Sequence, residues 1–192
     1  MPLTRIIEVE PFDCWGTDFM GPFPSSYSFL HILVCVDYVT KWVEAIPCVA
    51  NDAKTVVNFL QKNIFTRFGT PRVLISDGEK HFCNNFLEIV LEKYNIKHKI
   101  ATPYHPQTSG QVEVSNRQLK QILEMTVASN RKNWSKKLDD AMWAYKNIHL
   151  INLDVTNPME ILIYIHRPPE PSTDMFWSFQ SLYHKLHQNQ QP

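Results

Sequence analysis

The chain predicts a mixed α/β fold in which a five-stranded sheet is flanked by helices, and three features carry that expectation. Two adjoining stretches rich in β-branched and aromatic residues, SFLHILVCVDYVT (28–40) and KWVEAIPCV (41–49), follow a proline-bounded apolar segment and read as a strand meander. A helical repeat comes next, with Ala53, Val56, Val57, Leu60, Ile64 and Phe68 on one stripe. Short apolar strands then alternate with further helical patterns. The order is three strands, helix, strand, helix, strand and then helices, which suits a sheet with covered faces.

Each element has its own local reason. PFDCWGTDFMGPFP (11–24) carries Phe12, Cys14, Trp15 and Phe19 between prolines and suits a buried strand ending near Asp18. Asn51 or Asp52 can cap the helix after the meander, and Gly69 followed by Pro71 stops it. RVLISDG (72–78) is a short strand running into an Asp-Gly turn, followed by a helix through Phe86, Ile89, Val90 and Tyr94. IKHKIA (96–101) alternates as a strand and delivers the polar loop ATPYHPQTSGQ.

In that loop Pro103 and Pro106 push Thr102 and His105 out of helical geometry, and Thr108 and Gln111 stand at capping-box spacing. A helix therefore starts near Ser109. From there Val112, Leu119, Ile122, Leu123 and Thr126 form one stripe, while Glu113, Arg117, Lys120 and Glu124 form another. Trp134, Leu138, Ala141, Met142, Tyr145 and His149 mark a last amphipathic helix. The ordered domain is placed at residues 1–165, with 166–192 as a proline-rich linker, HRPPEPSTD, and an unassigned tail. His184 and His187 in that tail have no neighbouring ligand types and do not suggest a metal site.

Composition narrows the function. A hydrophobic content of 44% over 192 residues builds a real core. The longest apolar run, FLHILVCV (29–36), is far too short to span a bilayer, and the N-terminus has no apolar signal core, so the reading is a soluble intracellular chain with no membrane partner. Cys14, Cys35, Cys48 and Cys83 form no CxxC pair, which argues for reduced, packed thiols and against a zinc knuckle. Nineteen bases balance nineteen acids. Any nucleic-acid binding must then come from local charge.

Three acids stand where chemistry is feasible: Asp18 and Asp77 at strand exits, and Glu113 on the helix after the polar loop. Singly they are ordinary, since Asp77-Gly78 is a good turn former, and an early-turn Glu113 favours the helix dipole and pairs at four residues with Arg117. Together, three carboxylates at one sheet edge would repel unless hard cations sat among them. Asp13, Asp37 and Glu44 compete for the same place, and strand pattern alone does not decide which carboxylates meet.

WGTDFMGPF, ISDGEKHF and TPYHPQTSGQVEVSNR resemble the three active-site motifs of retroviral-type integrase cores, and in particular those of plant gypsy-type long-terminal-repeat retrotransposons. Thirty-five residues separate Asp77 from Glu113, which matches the D,D(35)E spacing of that family. The resemblance spans about residues 3–146 and includes VDYVTKWVEAIP, FGTPRVLISDG and NWSKKLDDAMWAYK. It implies a ribonuclease-H-like fold. It further implies Asp18, Asp77 and Glu113 as the catalytic and metal-binding triad, holding two Mg2+ or Mn2+ ions. By the same resemblance the loop bearing His105 and Gln107 shapes the DNA path, with Asn116, Arg117 and Lys120 touching phosphates.

The implied activity is trimming of a donor DNA end and transfer of its 3′-hydroxyl to target DNA. The implied partners are donor and target DNA and further copies of the chain in a full integrase, and the implied location is the nucleus. Two other readings stand beside it. A ribonuclease H proper adds a glutamate in the helix after the third strand, and AKTVVNFLQKNIFTRF contains no acid. A non-catalytic relic that folds or binds DNA weakly fits the absence of the family's usual zinc-binding and C-terminal modules and the loss of similarity beyond about residue 147, where Ile165 stands in place of a glycine.

Overall fold

In the computed structural model the structure describes residues 10–101, 106–127 and 132–151. Strands β1 (Cys14–Met20), β2 (His31–Asp37) and β3 (Val43–Cys48) form an antiparallel meander. Strands β4 (Val73–Ser76) and β5 (Lys97–Ile100) add to the other side of β1 in parallel, so the sheet order is β3-β2-β1-β4-β5. The meander needs only short turns, whereas each parallel addition needs a helix to carry the chain back across the sheet.

Helix α1 (Ala53–Phe59) runs into a π-helical stretch (Leu60–Phe65) and a last turn, α2 (Thr66–Phe68). Of the two candidate caps it is Asp52 that works, its side chain accepting from the Thr55 N–H at 2.7 Å. Gly69 ends the run with a φ of 83°, a conformation that only glycine adopts without strain. Helix α3 (Asn85–Lys93) is capped by Asn84. It turns Leu87 and Leu91 into the core, packs Val90 and the adjoining Tyr94 against it and leaves Phe86 and Ile89 exposed, so only part of the expected helical stripe faces inward.

Helices α4 (Pro106–Thr126) and α5 (Trp134–Ile151) cover the opposite face. Two apolar clusters result. Trp15, Leu33, Cys35 and Leu74 meet the α1 and α3 side, while Ile32, Val34 and Val36 meet Val112, Leu119, Leu138 and Ala141 on the α4 and α5 side. Because successive strand residues point to opposite faces and both faces are covered, β2 reads as an unbroken apolar run.

Three expectations need correction. Helix α4 begins at Pro106, not near Ser109: a proline suits the first helical position, so Thr108 and Gln111 lie inside the helix rather than at its cap. Strand β1 does not end near Asp18 but continues to Met20, because β2 keeps pairing with it to Ile32. The thiols are all free, yet only Cys14, Cys35 and Cys48 are buried and Cys83 is exposed. No helix among the described residues is long and apolar enough to cross a membrane. The linker and tail expected over 166–192 lie outside the described residues.

Candidate active site

The site starts from the pairing of β1 with β4. Trp15 stands opposite Leu74 and Gly16 opposite Ile75 in parallel register. Carried on two residues, that register sets Asp18 beside Asp77, the first residue past β4. Strand alternation then puts Gly16 and Asp18 on one face of the sheet.

That face is the one α4 crosses. A side chain at Gly16 would collide with Val112 Cγ2 and would reach the Tyr38 ring at 2.8 Å, so only glycine lets the helix come this close to β1. Glu113 follows Val112 directly, and Asn116 lies one turn on. Asn116 Nδ2 donates to Asp18 Oδ2 at 2.7 Å, tying helix to strand.

The neighbouring acids bear on Asp18 electrostatically. Burial pushes Asp18 from 3.8 up to about 6, the charge of Asp77 adds to the rise, the Phe19 backbone hydrogen bond opposes it, Glu113 raises it further and the Asn116 hydrogen bond lowers it. Both partner acids therefore bear on Asp18. Asp77 itself is oriented by an N–H from Glu79 donated to its Oδ1 at 3.1 Å. Glu113 is exposed and two turns inside α4, where the helix dipole no longer accounts for it, and among the described residues no ion pair joins it to Arg117. Among the described residues, no three His, Cys, Asp or Glu side chains are gathered closely enough to hold a metal ion. The three acids share an electrostatic neighbourhood without forming a closed ligand cluster, as like charges with one exposed member would be expected to do.

A cleft of about 950 Å³ opens beside them, lined among others by Asp18, Glu113, Asn116, Arg117, Lys120 and Trp134; Asp77 is not one of its walls. Arg117 and Lys120 are exposed along it. Asn116 differs from the expectation that grouped it with them: it is 8% exposed, one N–H goes to Asp18, and its buried Oδ1 has no hydrogen-bond partner among the described residues. His105 lies outside the described residues, as does the side chain of Gln107, whose backbone sits in the first turn of α4.

The competing acids have other work. Asp37 is fully buried, and its carboxylate accepts from the N–H groups of Phe12, Val39 and Thr40 and from the Thr40 hydroxyl, closing the turn between β2 and β3. Asp13 pairs with Arg72 at 3.0 Å. Glu44 accepts from Trp42 Nε1 at 2.7 Å, Lys146 Nζ at 2.8 Å and Arg67 Nη1 at 2.7 Å. Sequence reasoning missed both Gly16 and the Asn116 bond; the one signal for them was a glycine two residues before Asp18 and an amide one turn after Glu113.

This five-stranded mixed sheet, with helices on both faces, is the ribonuclease-H-like fold. The integrase core domain family matches residues 8–106. Pro-Pol polyprotein of feline foamy virus is 30% identical over 155 residues, covering 81% of this chain and 13% of its own length. Pol polyprotein of radiation murine leukemia virus (strain Kaplan) is 37% identical over 144 residues, covering 74% of this chain and 25% of its own. Gag-Pol polyprotein of feline leukemia virus is 34% identical over 139 residues, 72% of this chain and 8% of its own. The chain thus belongs to the integrase core domain family, and it spans a quarter or less of these relatives.

Solved structures carry the same fold. The catalytic core domain of BIV integrase matches with a TM-score of 0.62 at 21% identity, covering 80% of this chain and 94% of that one. The simian T-cell lymphotropic virus intasome in complex with PP2A regulatory subunit B56 gamma matches with a TM-score of 0.63 at 21% identity, covering 90% of this chain and 62% of that one.

Proposed function

We propose that this chain is the catalytic core of a retrotransposon integrase, of plant gypsy type by its motifs, that trims donor DNA ends and joins them to target DNA in the nucleus. The observation that supports it most directly is the position of Asp18, buried on β1 with the charges of Asp77 and Glu113 both acting on it. The core is taken to extend over residues 1–165, and a full integrase is taken to be a homo-oligomer, in keeping with an intasome among the structural neighbours.

Mg2+ or Mn2+ suits this donor set, because three carboxylates offer only hard oxygen ligands and Asp18, with a pKa near 6, carries under-compensated negative charge that a cation relieves. Asp18, Asp77 and Glu113 would together hold the ions. When bound, the ions activate a water or a DNA 3′-hydroxyl for in-line attack and stabilise charge growing on the phosphate. The chain's own residues do the rest. Asn116 fixes the rotamer of Asp18, Glu79 N–H fixes that of Asp77, and Arg117 and Lys120 line the cleft where they can hold DNA phosphates.

The test uses a branched DNA that carries an already joined end, so that chemistry is separated from the assembly of two DNA partners. With Mn2+, the chain should resolve this substrate, and Asp18→Asn, Asp77→Asn and Glu113→Gln should each abolish resolution. Equal residual activity in the chain and its variants would remove the catalytic reading and leave a DNA-binding relic. Cleavage of an RNA–DNA hybrid in place of the branched DNA would favour a ribonuclease H.

A further inference from the structure

His98 sits on β5, opposite Leu74 of β4, and reaches diagonally across the pair to Ser76. Its Nε2 lies 2.8 Å from Ser76 Oγ. Ser76 Oγ in turn donates to the carbonyl oxygen of Asp77 at 3.0 Å. A serine hydroxyl has one proton, and it is spent on that carbonyl, so Ser76 Oγ must accept from His98 and the ring must carry its proton on Nε2. Burial lowers the pKa of His98, which keeps the ring neutral with a single N–H.

We infer that His98 is a positioning residue for the acid site, acting through Ser76 to lock the Asp77 peptide at the point where β4 ends. The reason for a lock is local. Past Ser76 the strand pairing stops, with Ala101 N–H to the Ser76 carbonyl at 2.7 Å as the next bond beyond the register, and Asp77 enters a turn held by the Glu79 N–H. An acid one residue beyond its sheet has no ladder to define its backbone. The relay from β5 supplies that definition from a buried side, since Ser76 is 2% exposed, while the Glu79 N–H aims the carboxylate from the solvent side. Fixing both the peptide and one oxygen of Asp77 leaves little freedom for the carboxylate, as a ligand-orienting outer shell requires. The same geometry explains a histidine between Lys97 and Lys99, both exposed, on a strand that otherwise points charge at water.

The inference rests on Asp77 belonging to the metal-binding acids, and its test separates the two claims. Mn2+ is titrated into the full chain and followed by electron paramagnetic resonance, with thermal unfolding recorded alongside. Asp77→Asn should lose binding. His98→Ala should weaken binding by about tenfold, the lower end of what removal of an outer-shell partner costs. His98→Gln, which keeps an N–H near the Nε2 position, should return to within about threefold of the parent, and Ser76→Ala should match His98→Ala while Ser76→Thr keeps the relay. Parental affinity in His98→Ala and Ser76→Ala, beside loss in Asp77→Asn, overturns the positioning role. So does a His98→Gln chain that folds as stably as the parent yet binds as weakly as His98→Ala. Should His98→Ala fail to fold, the Ser76→Ala and Ser76→Thr pair decides by the same criterion. If Asp77→Asn itself binds Mn2+ as the parent does, the assignment of Asp77 falls, and the role of His98 falls with it.

Discussion

Asn116 on α4 donates to Asp18 on β1 at 2.7 Å, and this single bond ties the helix that carries Glu113 to the strand that carries the most perturbed acid of the site. It stabilises the charged form of Asp18 against burial and against two neighbouring carboxylates. Replacing Asn116 with Ala should therefore raise the pKa of Asp18 further, by about half a unit to one unit for the loss of one hydrogen bond. Carboxyl-carbon NMR titration of the metal-free chain reads this directly. Asn116→Asp should raise it more, and a value unchanged in both variants would detach Asn116 from the site.

The raised pKa of Asp18 also has a consequence for stability. Between 3.8 and about 6 the folded chain holds the Asp18 proton while the unfolded chain releases it, so this residue costs stability progressively as pH rises through that window, and the full cost is present above it. Asp18→Asn cannot ionise. In the absence of metal it should be more stable than the parent by about 1–3 kcal/mol at pH 7.5 and nearly equal to it at pH 3.5. Denaturant unfolding at the two values checks both ends, and a parent that is the more stable at pH 7.5 would contradict the burial of the charge.

Gly16 leaves no room for a methyl group between β1 and α4. Gly16→Ala should cost about 1–3 kcal/mol of stability, the usual penalty for overpacking a close contact, and should reduce Mn2+-dependent resolution of branched DNA by displacing Glu113 from Asp18. Because the obstacle is Val112 Cγ2, the double variant Gly16→Ala, Val112→Ala should recover part of both losses. A cycle with no coupling between the two positions would mean that the helix does not rest on Gly16.

Arg117 and Lys120 are the exposed bases of the cleft in a chain of zero formal net charge. DNA affinity should be weak and should fall steeply with salt. Each of Arg117→Ala and Lys120→Ala should reduce the slope of log affinity against log salt by about 0.9 if it removes one phosphate contact. Fluorescence anisotropy over a salt series measures the slope, and a double variant with the parental slope would move the DNA path elsewhere.

Glu44 is a buried carboxylate that accepts from Lys146, Arg67 and Trp42 and joins β3, α2 and α5. Lys146 also lies over the Trp42 ring at 4.5 Å. Glu44→Gln leaves the Lys146 ammonium buried without its counter-charge and should destabilise the fold by about 3–5 kcal/mol. Replacing Glu44 and Lys146 together with apolar residues of similar size should cost much less. Equal losses for the single and the double variant would show that packing, not charge, holds this corner.

The sequence by itself determined the parts. Strand and helix periodicity placed all five strands and the main helices, because apolar side chains recur at the period of the surface they cover. The stripe of Val112, Leu119, Ile122 and Leu123 is buried as its spacing required, and Glu113, Arg117 and Lys120 share the exposed side. The resemblance of its motifs pointed to the integrase core domain family that residues 8–106 match. What the sequence left open was the meeting of the acids. Asp37 stands at the end of a strand as plausibly as Asp18 does, yet it closes a turn, and that choice follows from the parallel register of β1 on β4 and from the face that Gly16 opens to α4. Strand pairing and helix docking join residues far apart in the chain, so no local pattern encodes them. The same reason turned Asn116 inward to Asp18 and set His98 against Ser76.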